Sequence, residues 1–147
     1  MANNQQSSLN QEIYQRLCHA RAFIDDHCCH QLSLDQISSE ACFSRYHFLR
    51  LFRRAFDQTP HQYLTQKRIE KAKELLASSK LTVTDVCFEV GFESLGSFSS
   101  LFRKYVGHSP AVYRTKLMTA NRIRRQAEHA PVPACFLIKF GFLPASA

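Results

Sequence analysis

The sequence predicts an all-α fold, and three observations carry that prediction. Apolar residues recur at alternating three- and four-residue spacings through successive segments, as on the buried face of an amphipathic helix. Only four glycines are spread over 147 residues. One pattern also occurs twice. LSLDQISSEACFS (Leu32–Ser44) returns as LTVTDVCFEVGFES (Leu81–Ser94), and FSRYHFLRLFRRAFDQTPHQY (Phe43–Tyr63) returns as FESLGSFSSLFRKYVGHSPAVY (Phe92–Tyr113). Each copy reads as a short helix, a tight turn, a longer helix and a Ser/Thr-Pro step that opens the next helix. The expected architecture is two helix-turn-helix units joined by a long linker helix, about seven helices in all.

Residues 1–8 are polar and read as a disordered N-terminus. From Leu9 to about His27, Ile13, Leu17, Ala20 and Ile24 form an apolar stripe that Phe23 widens, which predicts a first helix. Ser33 with Gln36 three residues on is a capping box, opening a short helix over about 34–41. Ser44 is expected to cap the next helix, about Arg45–Phe56, whose apolar face is Phe48, Leu51, Phe52, Ala55 and Phe56. Asp57 ends it, since Asp tolerates the left-handed conformation. Thr59-Pro60-His61-Gln62 combines a capping box with Pro at the first helical position, and opens the linker helix over about 60–78. Tyr63, Leu64, Ile69, Ala72, Leu75 and Leu76 are its apolar side. Lys67, Arg68, Lys71 and Lys73 alternate with Glu70 and Glu74, as on a solvated face with i,i+4 pairs.

The second copy repeats this order with one residue inserted, and carries Gly91 and Gly107 where the first has Cys42 and Asp57. The repeat fades from about residue 115. Leu117–Ala130 extends the last helix until Pro131 and Pro133 stop it. The division expected is a tail at 1–8, a DNA-binding domain at 9–115 and a C-terminal extension at 116–147 of no assigned structure. Within the domain the units fall at about 33–57 and 82–107.

The net charge of +7 is unevenly spread: −1 over residues 1–32, +4 over 33–115 and +4 over 116–147. A basic excess on the repeated region suits a polyanion. The N-terminus lacks the apolar stretch of a signal peptide, and the longest apolar run, Ala134–Ile138, is too short to span a bilayer. A cytoplasmic protein with no membrane partner is expected. The six cysteines then read as free thiols, mostly packed as small apolar residues. His27-Cys28-Cys29-His30 has no partner pair at zinc spacing, so no metal is assigned. Neither a Ser/His/Asp set, nor paired carboxylates, nor a glycine-rich phosphate loop stands out; no enzyme activity and no cofactor are expected.

The longer helix of a helix-turn-helix unit lies in the major groove, where its exposed face meets base edges and its flanking cations meet phosphates. With Phe48, Leu51 and Phe52 turned inward, Arg45, Tyr46, Leu49 and Arg50 are left to read bases in the first copy. Leu95, Gly96, Ser99 and Ser100 hold the matching places in the second, with much shorter side chains. Arg53, Arg54, Lys67, Arg68, Arg103, Lys104 and Arg114 are the phosphate candidates. A linker of about 18 residues, roughly 27 Å, approaches the ~34 Å of one DNA turn. Both units then reach successive major-groove segments of an asymmetric site, the first carrying most of the sequence information.

These residues resemble the AraC/XylS family of bacterial transcription regulators over about Leu17–Arg114. The most specific stretch is VCFEVGFESLGSFSSLFRKYVGHSPAVYR (Val86–Arg114), with RIEKAKELLASS matching the family's linker helix. The resemblance implies a sequence-specific regulator, most often an activator, that binds double-stranded DNA near a promoter and contacts RNA polymerase. Many members carry Arg or Gln in the second reading helix, and this chain does not. Most also have a separate ligand-binding or dimerisation domain. With about thirty residues before the first short helix, this chain looks like the short stand-alone members: either it acts as a monomer rather than a dimer, or it is the cut-down end of something longer. The alternative reading is an interaction module, in which the tail apolars Phe136, Leu137, Ile138, Phe140 and Phe142 dock a protein or membrane surface and DNA is bound only nonspecifically.

Overall fold

The computed structural model describes the backbone of residues 2–78 and 80–128, and the side chains of 10–78 and 80–126. Seven helices lie in this stretch, with no strand among the described residues: α1 (Ala2–His27), α2 (Leu34–Glu40), α3 (Arg45–Phe56), α4 (Pro60–Ser78), α5 (Val83–Glu89), α6 (Leu95–Val106) and α7 (Pro110–Glu128). The apolar tail, with Phe136, Leu137, Ile138, Phe140 and Phe142, lies outside the described residues. No described helix is long and apolar enough to cross a membrane.

Local signals set most boundaries. At α2 the Ser33 side chain accepts from the Gln36 backbone N–H, and the Gln36 side chain accepts in return from the Ser33 N–H. Thr59 and Gln62 do the same at α4. The second copy substitutes Thr82 and Asp85 in that role, and hydrogen bonds from the Thr82 hydroxyl and backbone hold the Asp85 carboxyl below the usual carboxylate range. The reading helices α3 and α6 both end on a left-handed residue, Asp57 (φ 56°) and Gly107 (φ 87°). Each sends its backbone N–H back to the carbonyl four residues earlier, Arg53 or Arg103.

Three local expectations are corrected. Helix α1 begins at Ala2, not near residue 9. The polar residues before Leu9 include no Gly or Pro, so nothing there interrupts helical hydrogen bonding. Ser44 sits at the N-cap of α3 with extended backbone but makes no side-chain cap bond, whereas its counterpart Ser94 accepts from the Ser97 N–H. The ion pairs of α4 are i,i+3, Lys67–Glu70 at 3.1 Å and Lys71–Glu74 at 2.9 Å, where i,i+4 pairs were expected.

The core has two clusters. The first gathers Leu17, Ala20 and Ile24 of α1, Ile37 of α2, Phe48 and Phe52 of α3, and Tyr63 and Leu64 of α4. The second gathers Ile69, Ala72 and Leu76 of α4, Val86 and Cys87 of α5, and Phe98 and Phe102 of α6. Leu17, Ala20 and Ile24 keep the same three-then-four spacing as Ile69, Ala72 and Leu76. Helix α4 therefore serves the second unit as α1 serves the first, while its N-terminal turns close the first unit from the other side. One helix belongs to both cores, which fixes α3 and α6 on one frame. The aromatic packing repeats as well: Phe52 meets Tyr63 edge-on at 6.1 Å between centroids, and Phe102 meets Tyr113 edge-on at 5.5 Å. Helix α7 copies α4 in both length and Ser/Thr-Pro opening, so the repeat runs past residue 115, where its sequence signal fades.

Candidate nucleic-acid interface

The first unit's turn is closed by Cys42 in the left-handed region (φ 55°), and the second unit's by Gly91 (φ 86°). These turns set α3 and α6 so that Phe48 and Phe52, and likewise Phe98 and Phe102, are fully buried. Burying two aromatics four residues apart orients each helix and leaves the opposite face in solvent.

That face on α3 presents Arg45, Tyr46, Leu49, Arg50, Arg53 and Arg54, all exposed, with Tyr46 at 78 %. Arg45 pairs through Nε with Asp35 Oδ1 at 3.1 Å. Both side chains are well exposed, so the pair is worth no more than about 1 kcal/mol and opens readily to a DNA base or phosphate. On α6 the exposed positions are Leu95, Gly96, Ser97, Ser100, Arg103, Lys104 and Tyr105, while Ser99 is half-buried. A Cβ built on Gly96 meets no atom within 4 Å, so this stretch of α6 is open space. Aligned copy on copy, Arg45, Tyr46 and Arg50 face Leu95, Gly96 and Ser100, whereas Arg53 and Arg54 face Arg103 and Lys104. The cations next to the helix C-termini are kept and the candidate base-reading residues are not. His47 and Ser97 are also exposed on these helices and were missed by the sequence reading; their place one position after Tyr46 and Gly96 is the only sequence signal for them.

Two of the seven phosphate candidates are otherwise engaged, and a third is half-buried. Arg68 is turned into the junction between the units: Nε donates to the Cys28 carbonyl and Nη2 to the His30 carbonyl, both at 2.8 Å, and the guanidinium lies 5.8 Å from the Phe92 ring centroid. Burial there pushes its pKa down. Lys67 is half-buried between Glu70 and Asp25, at 3.1 and 3.7 Å, and its bond to Glu70 pushes its pKa up. Arg114 is half-buried, with Nε and Nη2 enclosed and without a hydrogen-bond partner among the described residues. Arg53, Arg54, Arg103 and Lys104 remain exposed. Among the described residues no group of three or more His, Cys, Asp or Glu is placed to hold a metal ion.

A family model for a helix-turn-helix domain matches residues 37–116. LumQ, a probable transcriptional regulator of Photobacterium leiognathi, is 36 % identical over 92 residues, which is 63 % of this chain and 37 % of LumQ. The transcriptional activator AarP of Providencia stuartii is 31 % identical over 74 % of this chain and 76 % of its own length. The regulatory protein SoxS of Escherichia coli K12 is 30 % identical over 74 % of this chain and 98 % of its own length. Among solved structures, the DNA-binding domain of the transcriptional factor AdpA, in complex with a target DNA, superposes with a TM-score of 0.65 at 33 % identity, covering 74 % of this chain and 95 % of that one. The C-terminal domain of the response regulator AraT from Geobacillus stearothermophilus gives 0.65 at 29 % identity, covering 69 % and 84 %. Two helix-turn-helix units on one shared helix, with a family model spanning residues 37–116 and relatives at least 30 % identical covering up to 74 % of the chain, make this chain a member of the AraC/XylS family of transcription regulators.

Proposed function

We propose that this protein is a sequence-specific regulator of transcription, acting as an activator, that inserts α3 and α6 into successive major-groove segments of an asymmetric promoter site. The observation that carries the reading is the paired set of exposed helix faces, each backed by two buried phenylalanines and each ending in two cations. In this reading Arg45, Tyr46, Leu49 and Arg50 contact bases, Arg50 through two bonds to a guanine and Tyr46 and Leu49 through a thymine methyl. Leu95, Gly96, Ser99 and Ser100 make short, less discriminating contacts, with Ser99 at the edge. Arg53, Arg54, Arg103 and Lys104 hold phosphates. Helix α4, 19 residues long and so about 28 Å, spaces the units for neighbouring groove segments on one face of the duplex.

The activator assignment follows AarP, whose name states that activity, and RNA polymerase is the partner an activator bound beside a promoter would meet. A single chain already holds two reading helices, so a monomer suffices. The work is binding rather than catalysis, done in the cytoplasm where a promoter is reached. The test is selection of sites from a random duplex library at about 150 mM salt, with wild type and Arg50→Ala in parallel. Enrichment of one asymmetric motif, relaxed at one position in Arg50→Ala, is the expected result. Salt-sensitive binding without any motif would overturn it.

A further inference from the structure

Two adjacent cysteines at the end of α1 have no part in reading DNA. Cys28 and Cys29 are half-buried, and their Sγ atoms lie 3.9 Å apart. They also sit where the two units are fastened together. Arg68 bonds the carbonyls of Cys28 and His30, and Gly91 approaches so closely that a Cβ on it would lie 2.7 Å from the Cys29 carbonyl oxygen. Whatever bridges these two thiols acts on the Cys28–Cys29 peptide, whose carbonyl Arg68 holds, and on the next carbonyl, against which Gly91 packs.

The geometry selects among bridging chemistries. Consecutive Cα atoms lie about 3.8 Å apart across a trans peptide, below the ~4.4–6.8 Å that disulfides usually span, so direct S–S closure is strained. Zinc takes four protein ligands in a closed site, and no group of even three is present among the described residues. What fits is a soft centre that needs two sulfurs and brings its own third substituent. We propose that Cys28 and Cys29 form a binding site for trivalent organic arsenicals, and that occupation loosens the junction between the two helix-turn-helix units.

The step is a condensation. An arsenical R–As=O and two thiols give R–As(S)₂ and water: two As–S bonds form, two S–H bonds and the As=O bond break, and both protons leave on the oxygen. Arsenic stays trivalent and neither sulfur is oxidised. The five-atom link through both side chains then constrains the Cys28–Cys29 peptide, and with it the Cys28 carbonyl that Arg68 holds and the Cys29 carbonyl that Gly91 packs against.

The test uses the full chain and phenylarsine oxide, with the effect on DNA resting on the function proposed above. Intact mass should show one adduct with loss of one water, reversed by 2,3-dimercaptopropanol but not by a monothiol. The adduct should vanish in Cys28→Ser and in Cys29→Ser and persist in Cys42→Ser and Cys135→Ser. An adduct that survives both Cys28→Ser and Cys29→Ser, or none on wild type that still binds its DNA, overturns the site. Affinity of wild type for its selected duplex should fall about fivefold or more on saturation, recover with the dithiol, and stay unchanged in treated Cys29→Ser. An adduct at the site with unaltered affinity overturns the coupling between site and junction.

Discussion

Arg68 of the shared helix α4 donates from Nε to the carbonyl oxygen of Cys28 at 2.8 Å, joining residues forty positions apart. Its Nη2 bonds the His30 carbonyl, and its guanidinium lies near Phe92 of the second unit. One side chain thus ties the end of α1 to the turn that aims α6. Arg is suited to this role because its planar fork reaches two acceptors in fixed directions, where Lys reaches them only as a point charge.

Arg68→Ala leaves two carbonyls without their charged donor and is expected to cost roughly 2–4 kcal/mol in chemical denaturation, with Arg68→Lys recovering less than half. DNA affinity should fall while the slope of log affinity against log salt stays as in wild type. Arg53→Ala, at an exposed phosphate position, should instead lower that slope by about one and leave stability within about 0.5 kcal/mol. A reduced salt slope in Arg68→Ala would return Arg68 to the phosphate set.

The contrast between Arg68 and Arg53 shows what the sequence conveys. Caps, turns and core faces were legible because their causes are local: Ser33 with Gln36, Thr59 with Gln62, Asp57 before a Thr-Pro step, and Phe48 with Phe52 one turn apart. Arg68 looked like one more cation on a face of alternating charge, because its acceptors are backbone carbonyls with no residue identity. The enclosure of Arg114 Nε and Nη2 is likewise set by packing and leaves no trace in the residues beside it. The base-reading positions are an intermediate case. Helical periodicity turned Arg45, Tyr46 and Arg50 outward correctly, but gave Ser99 the same exposure as Ser100, and the packing covers half of it.

The two left-handed glycines separate backbone strain from crowding. Gly91 and Gly107 have nearly equal φ, 86° and 87°, but a Cβ on Gly107 meets nothing within 4 Å, while one on Gly91 meets the Cys29 carbonyl oxygen at 2.7 Å and Arg68 Nη2 at 3.1 Å. Gly107→Ala is expected to cost about 1–2 kcal/mol from conformation alone. Gly91→Ala should cost at least ~1 kcal/mol more, from displacement of packed atoms, and should lower DNA affinity by shifting α6. Equal losses in urea denaturation would mean that the junction yields without cost.

Gly96 offers a gain instead. It lies in the first turn of α6 with helical backbone and open space at its Cβ position. Gly96→Ala should stabilise the fold by up to about 1 kcal/mol. Gly96→Gln would place an amide where the first unit has Tyr46. In site selection it should sharpen the second half-site toward adenine and leave the first half-site as in wild type. A changed first half-site would show that the two reading helices are not independent.

Tyr63 supplies a pH-dependent part of the core. Its hydroxyl donates to Asp25 Oδ1 at 2.8 Å, crossing from α4 to α1, and burial followed by the bond and the charge of Asp25 pushes the phenol up to about 12. The unfolded phenol ionises near its ordinary value of about 10. Between these two values the unfolded chain has released a proton that the folded chain keeps, so stability falls as pH rises from about 10 to about 12. Below pH 10 the contribution is intact. Tyr63→Phe removes both the bond and the titration, at a cost of about 1 kcal/mol near neutral pH. Because the variant lacks this decline, the gap between the two proteins should shrink steadily above pH 10 and close near pH 11. Thermal or denaturant unfolding of both at pH 7 and pH 11 measures the gap twice, and the other tyrosines and lysines cancel in the difference. A gap as wide at pH 11 as at pH 7 would mean that Asp25 releases Tyr63 before its proton is lost.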